Sequence, residues 1–263
     1  MKQAVLTIAG SDSSGGAGIQ ADLKSMAANG VFGMSVLTSI TAQNTRGVSA
    51  VFHLPLSILE AQIDALFSDI PITVIKTGML ATSDIITTVS RKLAQQQIEH
   101  LVVDPVMVAK GGYPLLEQDA MAVLKTNLLP QASLLTPNIA EAEMLSGLTI
   151  QTLANAREAA KIIHQLGCKH VLIKGGHLLE QPGTDLLYDG RFFHMFKGEF
   201  IQTNTTHGTG CTLASAIAAN LAKGKTIPDA IEAAKHYTTD AIRHGLALGQ
   251  GNGPTDHFYF LQA

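Results

Sequence analysis

The segment His207-Gly208-Thr209-Gly210-Cys211 runs directly into a helical pattern over residues 212–223. Small residues let the backbone turn its N–H groups toward one point. The first amides of a helix lack internal partners, and the helix dipole puts partial positive charge at the same end. Gly208, Thr209 and Gly210 therefore read as a seat for a phosphate, with Cys211 at its lip. A thiol in that field should ionise more easily than a free one, and so could accept a proton or attack an electrophile. A glycine-rich turn that only packs a helix start has the same composition, so the other loops must be weighed with it.

Five further segments carry residues of the right type. Gly10-Ser11-Asp12-Ser13-Ser14-Gly15-Gly16-Ala17-Gly18 is a loop of small polar residues, and Asp22, one turn into the following helix, could aim a carboxylate at a hydroxyl or an exocyclic amine. Gln43, in Gln43-Asn44-Thr45-Arg46-Gly47, offers an adjacent donor and acceptor that suit the amino-nitrogen edge of a heteroaromatic ring. Asn138 and Glu141 lie three apart at a helix start and, with Asp104, could orient a hydrated Mg²⁺. Lys174 could hold a transferred phosphoryl group as a point charge. Taken singly, each of these is equally a cap or a solvated charge.

The elements that must position them follow from periodicity. Residues 4–8, 35–40, 73–75, 101–103, 134–135 and 170–173 read as buried strands, and 18–29, 56–67, 84–96, 117–127 and 153–166 as helices. This alternation predicts an α/β fold with a mostly parallel sheet covered on both faces, and ligands at the C-terminal strand ends. Asp189-Gly190 between residues 185–188 and 191–196 signals a hairpin added antiparallel to the sheet. Two helices close the chain. The second is capped by Thr226, with Pro228 in its first turn and Asp229 at capping-box spacing. No linker, repeat or low-complexity stretch divides the chain, so residues 1–263 read as a single domain.

Composition narrows the partners. With 263 residues, 46% hydrophobic and 15% charged, the chain can bury a large core. A net charge of −3 without a basic stripe argues against a nucleic-acid partner, and no apolar run reaches membrane-spanning length. The 2 cysteines, Cys168 and Cys211, have neither disulfide-framework nor zinc spacing, and the 10 histidines lack metal-ligand spacing. A reducing cytoplasm and a small-molecule substrate are expected, and Cys168 reads as a small core residue. Gly16-Ala17-Gly18-Ile19-Gln20-Ala21 matches a dinucleotide fingerprint, but no acid closes the next strand at Ile40-Thr41-Ala42-Gln43. Gly224-Lys225-Thr226 echoes the end of a P-loop, but Ala219 replaces its first glycine and the tripeptide follows a helix.

Together the Gly10 to Asp22 loop, Gln43-Asn44-Thr45, Asp104-Pro105-Val106-Met107, Asn138-Ile139-Ala140-Glu141, Lys174-Gly175-Gly176-His177 and His207 to Cys211 resemble the hydroxymethylpyrimidine/phosphomethylpyrimidine kinases of thiamine biosynthesis, over nearly the whole chain. The resemblance implies a three-layer α/β/α ribokinase-like fold, ATP and Mg²⁺, and two successive phosphorylations of 4-amino-5-hydroxymethyl-2-methylpyrimidine. It implies that Cys211 stands where many sugar kinases have an aspartate base. Gln43 and Asp22 would touch the pyrimidine, and Gly10, Met79 and Val106 would line its pocket. Lys174, Thr209, Asn138 and Lys235 would serve ATP, and Asp104 and Glu141 the metal. A homodimer is expected. Asn252 departs from the family pattern, where a histidine is expected, and is assigned no role. Bacterial pyridoxal kinases share most of these motifs and give the near alternative. A non-catalytic ligand sensor, or a cysteine hydrolase using His207, are the readings from other classes.

Overall fold

Successive side chains of a strand point to opposite faces, and here both faces are apolar. Leu6, Ile75, Leu101 and Ile173 enter one core, whereas their neighbours Val5, Val74, Val102 and Leu172 enter a second. The computed structural model describes residues 2–109, 111–175 and 182–261. Its strands are β1 (Ala4–Ala9), β2 (Phe32–Leu37), β3 (Ser39–Asn44), β4 (Gly47–His53), β5 (Val74–Thr77), β6 (His100–Val103), β7 (Leu134–Leu135), β8 (Val171–Ile173), β9 (Asp185–Tyr188) and β10 (Phe193–Phe196). Its helices are α1 (Gly18–Ala28), α2 (Leu56–Phe67), α3 (Ser83–Leu93), α4 (Ala120–Val123), α5 (Ile139–Ser146), α6 (Leu153–His164), α7 (Thr209–Ala222) and α8 (Ile227–Arg243).

Eight strands form one sheet in the order β10-β9-β8-β7-β6-β5-β1-β2. Neighbours are parallel from β8 through β2, β9 is antiparallel to β8, and β10 is antiparallel to β9. Helices α2, α3, α5 and α6 cover one face, and α1, α7 and α8 the other. The three layers expected from the sequence are present, as is the hairpin at Asp189-Gly190, where Asp189 accepts from the backbone of Arg191 and Phe192. Thr226 caps α8 as expected, and Cys168 is a core residue. Among the described residues, no helix is long and apolar enough to cross a membrane.

Two elements differ from the expected ones. The run 35–40 is not one strand: β2 ends at Leu37, and buried Thr38 spans the break. Thr38 donates its N–H to the Ala9 carbonyl (3.0 Å) and accepts from the Leu54 N–H (3.0 Å). The chain then enters β3, which pairs with β4 in a separate two-stranded sheet. Gln43 therefore lies on a strand rather than in a loop. No glycine, proline or asparagine marks the break, so periodicity alone runs across it. The helix expected over 117–127 holds regular α geometry only in α4, then widens into a π turn over Leu124–Leu128 and tightens over Leu129–Gln131. Thr126 bonds back to the Ala122 carbonyl there (3.0 Å), and Pro130 sits at the start of the tightened turn, where its missing N–H is tolerated.

The free edge of β2 is finished by a side chain. Gln62, on α2, accepts from the Leu37 N–H (2.9 Å) and donates to the Leu37 carbonyl (3.1 Å), taking the place a neighbouring strand would occupy.

Candidate active site

The start of α7 is built by one residue that must be glycine. Gly208 is the N-cap, with φ of 77°, and a Cβ there would lie 1.7 Å from the Gly16 carbonyl oxygen. The loop after β1 and the helix start are thereby pressed together. Thr212 closes the first helical bond to Gly208 (2.9 Å), which leaves the amides of Gly210 and Cys211 without intrahelical partners. The Thr209 hydroxyl donates to the Thr206 carbonyl (2.8 Å) and holds the turn. Outward from Gly210, a Cβ would stand 3.3 Å from Lys174 Nζ and 3.5 Å from Asp104 Oδ2. The expected phosphate seat thus has amides as its floor and Lys174 and Asp104 as its wall.

That wall is an ion pair between the ends of β6 and β8, which flank β7. Lys174 Nζ lies 2.8 Å from Asp104 Oδ1, which also accepts from the Thr136 hydroxyl (3.3 Å). Burial works against the Lys174 charge, but Asp104 and Glu141 outweigh it and raise its pKa. Asn138 and Glu141 form a reciprocal capping box at the start of α5: Asn138 Oδ1 accepts from the Glu141 N–H (2.9 Å), and Glu141 Oε2 accepts from the Asn138 N–H (2.8 Å). Glu141 is pushed up to about 7, chiefly by burial, with Asp104 adding to the rise; Lys174 and the N–H groups of Asn138 and Met107 oppose it. Among the described residues, no group of three or more His, Cys, Asp or Glu could hold a metal by itself. Two carboxylates beside a phosphate seat do fit Mg²⁺, which keeps several waters and takes other ligands from phosphate oxygens.

Cys211 faces the helix start as expected, but its thiol is not eased toward ionisation. Burial dominates and pushes it up to about 12; Lys76 and the Gly18 N–H pull it down, while Asp22 and Asp104 push it further up. The cost of charging a desolvated sulfur exceeds what the helix end returns. Asp22 also departs from expectation. It is fully buried, and its carboxylate accepts from Lys76 Nζ at both oxygens (2.8 and 2.9 Å), from the Thr7 hydroxyl (2.6 Å) and from the Ser215 hydroxyl (2.7 Å). Those bonds tie α1, β1, β5 and α7 together, and they commit the carboxylate to the interior rather than to a ligand. Lys76 itself, read from sequence as the residue after a strand, lies inside β5 and is 0% exposed. Asp22 and Asp104 hold it charged against its desolvation.

The opposite wall comes from the β3–β4 hairpin. Gln43 sits at a register shift after Ala42, and its backbone is held by one side chain: Ser13 Oγ accepts from the Gln43 N–H and donates to its carbonyl, both at 2.8 Å. Its side chain reaches toward His207, at 3.4 Å. Gly10 ends β1 against Met79, where a Cβ would meet the sulfur at 3.0 Å. Val106 lines a small recess with Thr77, Gly78 and Asp104. Gly10, Met79, Val106, Gln43, Cys211, Lys174 and Asp104 therefore gather around the C-terminal ends of β1, β5, β6 and β8. Lys235 stands apart, in a cleft of about 350 Å³ lined also by Lys197, Glu199, His236, Asp240 and Arg243. It pairs with Asp185 (2.7 Å), whose other oxygen accepts from the Gly175 N–H (3.0 Å), the residue after Lys174. Gly176 and His177 lie outside the described residues.

Two participants escape a sequence reading. A lysine inside an apolar four-residue strand signals a buried partner, but nothing in spacing names Asp22. Asp12 looks like one more small polar loop residue, yet it accepts from Ser14, Gly16, Ala17 and His207. The dinucleotide-like loop is therefore folded around its own carboxylate.

Comparison with known proteins agrees with this geometry. Residues 12–256 match the family described as phosphomethylpyrimidine kinase. The hydroxymethylpyrimidine/phosphomethylpyrimidine kinase of Bacillus subtilis is 48% identical over 256 residues, covering 97% of this chain and 94% of that protein. A thiamine biosynthesis bifunctional protein of Geobacter sulfurreducens is 53% identical over 253 residues, but this chain, 96% of which is covered, spans only 52% of it. Among solved structures, a phosphomethylpyrimidine kinase from Clostridium difficile superposes with a TM-score of 0.83 at 46% identity, covering 92% of this chain and 100% of that one. An ADP complex of Bacillus subtilis pyridoxal kinase superposes with a TM-score of 0.92 at 41% identity, with both chains covered completely. On the extent of the family match and of these identities, the chain belongs to the phosphomethylpyrimidine kinase family.

Proposed function

We propose that the chain transfers the γ-phosphoryl group of ATP to the hydroxyl of 4-amino-5-hydroxymethyl-2-methylpyrimidine, and then a second one to the resulting monophosphate. The observation that carries this reading is the convergence of the α7 amides, the Lys174–Asp104 pair and the Gln43 amide around one set of strand ends. Phosphoryl transfer demands positioning and charge stabilisation more than covalent help. In this reading the amides of Gly210 and Cys211, with Lys174, meet the oxygens of the transferred group. Lys235 and Asn138 serve the nucleotide side. Gln43 grips the ring, and Gly10, Met79 and Val106 surround it. Magnesium, when bound, would neutralise phosphate charge, and Asp104 and Glu141 would hold it. Cys211 takes the hydroxyl proton in the first transfer; the phosphate oxygen that attacks in the second is already anionic.

The test is ADP release measured in parallel with the aminopyrimidine alcohol, its monophosphate and pyridoxal, the acceptor named for several structural neighbours. Turnover of both pyrimidines above pyridoxal is expected. Turnover of pyridoxal alone would overturn the reading. Gln43→Leu should raise the pyrimidine KM strongly while the ATP KM stays nearly constant; unchanged pyrimidine affinity would remove Gln43 from the pocket.

A pH effect follows from Glu141. With its pKa raised to about 7, it gains a proton as pH falls from 8 to 6 and ceases to favour a cation. The Mg²⁺ concentration for half-maximal rate should climb by up to about tenfold per pH unit below that pKa. Glu141→Gln keeps an oxygen for the helix cap and should flatten this dependence. An equally steep profile in that variant would assign the titration elsewhere.

A further inference from the structure

Proton counting around Gln43 fixes more than its presence. Asp12 accepts from the Ser14 N–H and hydroxyl at Oδ1 (2.8 and 2.7 Å), and from Gly16 N–H, Ala17 N–H and His207 Nε2 at Oδ2 (3.1, 2.7 and 2.8 Å). Burial opposes the charge, but these donors prevail and hold the carboxyl down at about 2, so it is ionised and only accepts. His207 Nε2 must therefore carry a hydrogen. The Gln43 amide lies with Oε1 3.1 Å from the Thr41 hydroxyl and Nε2 3.4 Å from His207 Nε2. Half a turn about its last bond exchanges two atoms of nearly equal size, so chemistry must decide between the two orientations.

Thr41 decides it from the other side. Its hydroxyl lies 2.8 Å from the Ser11 carbonyl oxygen, which can only accept, so the single hydroxyl proton goes there. With Oε1 toward Thr41, that proton would have to serve two oxygens, and two N–H groups would face each other at His207. With the amide turned over, its nitrogen donates to Thr41 and its oxygen receives a minor share of the His207 N–H. Every group is then satisfied. One amide N–H and one carbonyl lone pair remain for a ligand, in a set order.

We propose that Asp12, His207 and Thr41 are positioning residues that lock the Gln43 amide in this orientation, and that the lock selects an exocyclic amine beside a bare ring nitrogen over an oxo ring of the same shape. The amine would donate to the amide oxygen and the ring nitrogen would accept from the amide N–H. An oxo ring presents the reverse pair, which only an overturned amide could match. This rests on the reading of Gln43 as the residue that grips the ring.

The experiment compares kcat/KM for the aminopyrimidine alcohol and its 4-oxo analogue in wild type, Thr41→Val and Thr41→Ser. Wild type should reject the oxo ring. Thr41→Val frees the amide to turn, and the amino-to-oxo ratio should fall about tenfold, the worth of one hydrogen bond. Thr41→Ser should restore the ratio. A merely structural role for Thr41 would lower both substrates alike and leave the ratio unchanged, which would overturn the proposal. The orientation itself is read from the unliganded wild-type protein by nuclear Overhauser contacts of the Gln43 side-chain NH₂. Contact with the Thr41 methyl is expected, and contact with the His207 ring protons instead would overturn the lock. That measurement stands whatever the substrate proves to be; failure of wild type to use the aminopyrimidine would sink only the functional reading beneath it.

Discussion

Cys211→Ala should lower the first phosphoryl transfer by roughly 10² to 10⁴, the range for a lost general base, and the second far less. The difference comes from the acceptor, since only the hydroxymethyl oxygen must shed a proton. The buried setting of the sulfur adds a second signature. A thiol pushed up to about 12 is mostly protonated at neutral pH, but the little thiolate present is strongly basic. The first transfer should therefore keep accelerating into alkaline pH instead of levelling off near the ordinary thiol value, and the second should not. Rates with the alcohol and with the monophosphate, followed from neutral to alkaline pH in wild type and variant, decide it. Equal losses in both transfers would remove Cys211 from proton handling.

Lys76→Met should destabilise the fold by about 3–5 kcal/mol, because it leaves the Asp22 carboxylate buried with two hydroxyl donors and no countercharge. For a chain of this size that corresponds to a melting temperature lower by about 10 °C in calorimetry. Lys76→Met combined with Asp22→Leu removes both charges and should recover much of the loss. A single variant that melts with wild type would mean that the pair is electrostatically idle. The surviving single variant should also show a less acidic Cys211, since Lys76 is a cation that pulls that thiol down.

What could be read in advance follows the distinction between local and long-range signals. The parallel sheet was legible because Val5 and Leu6, or Val102 and Val103, need apolar cover on both sides. The helix start was legible because Gly208 stands immediately before α7 and Gly210 in its first turn. The division of 35–40 was hidden because the turn at Thr38 is made by bonds to Ala9 and Leu54, partners that no window contains. The same holds for Asp22: its helix position was correct, but its direction is set by Lys76, 54 residues away. The ionisation of Cys211 is not legible in the sequence, because the helix end is a local signal whereas the desolvation of the sulfur is set by elements far away in the chain.

The amide of Gln62 on the last position of β2 has a bearing on self-association. An open strand edge is a template on which another chain can add a rung, and thereby a nucleus for aggregation. At Leu37 both backbone groups on that side are already taken by an amide that cannot propagate the ladder. Sheet continuation is barred at that rung of β2, and a further copy could add there only by displacing the Gln62 amide.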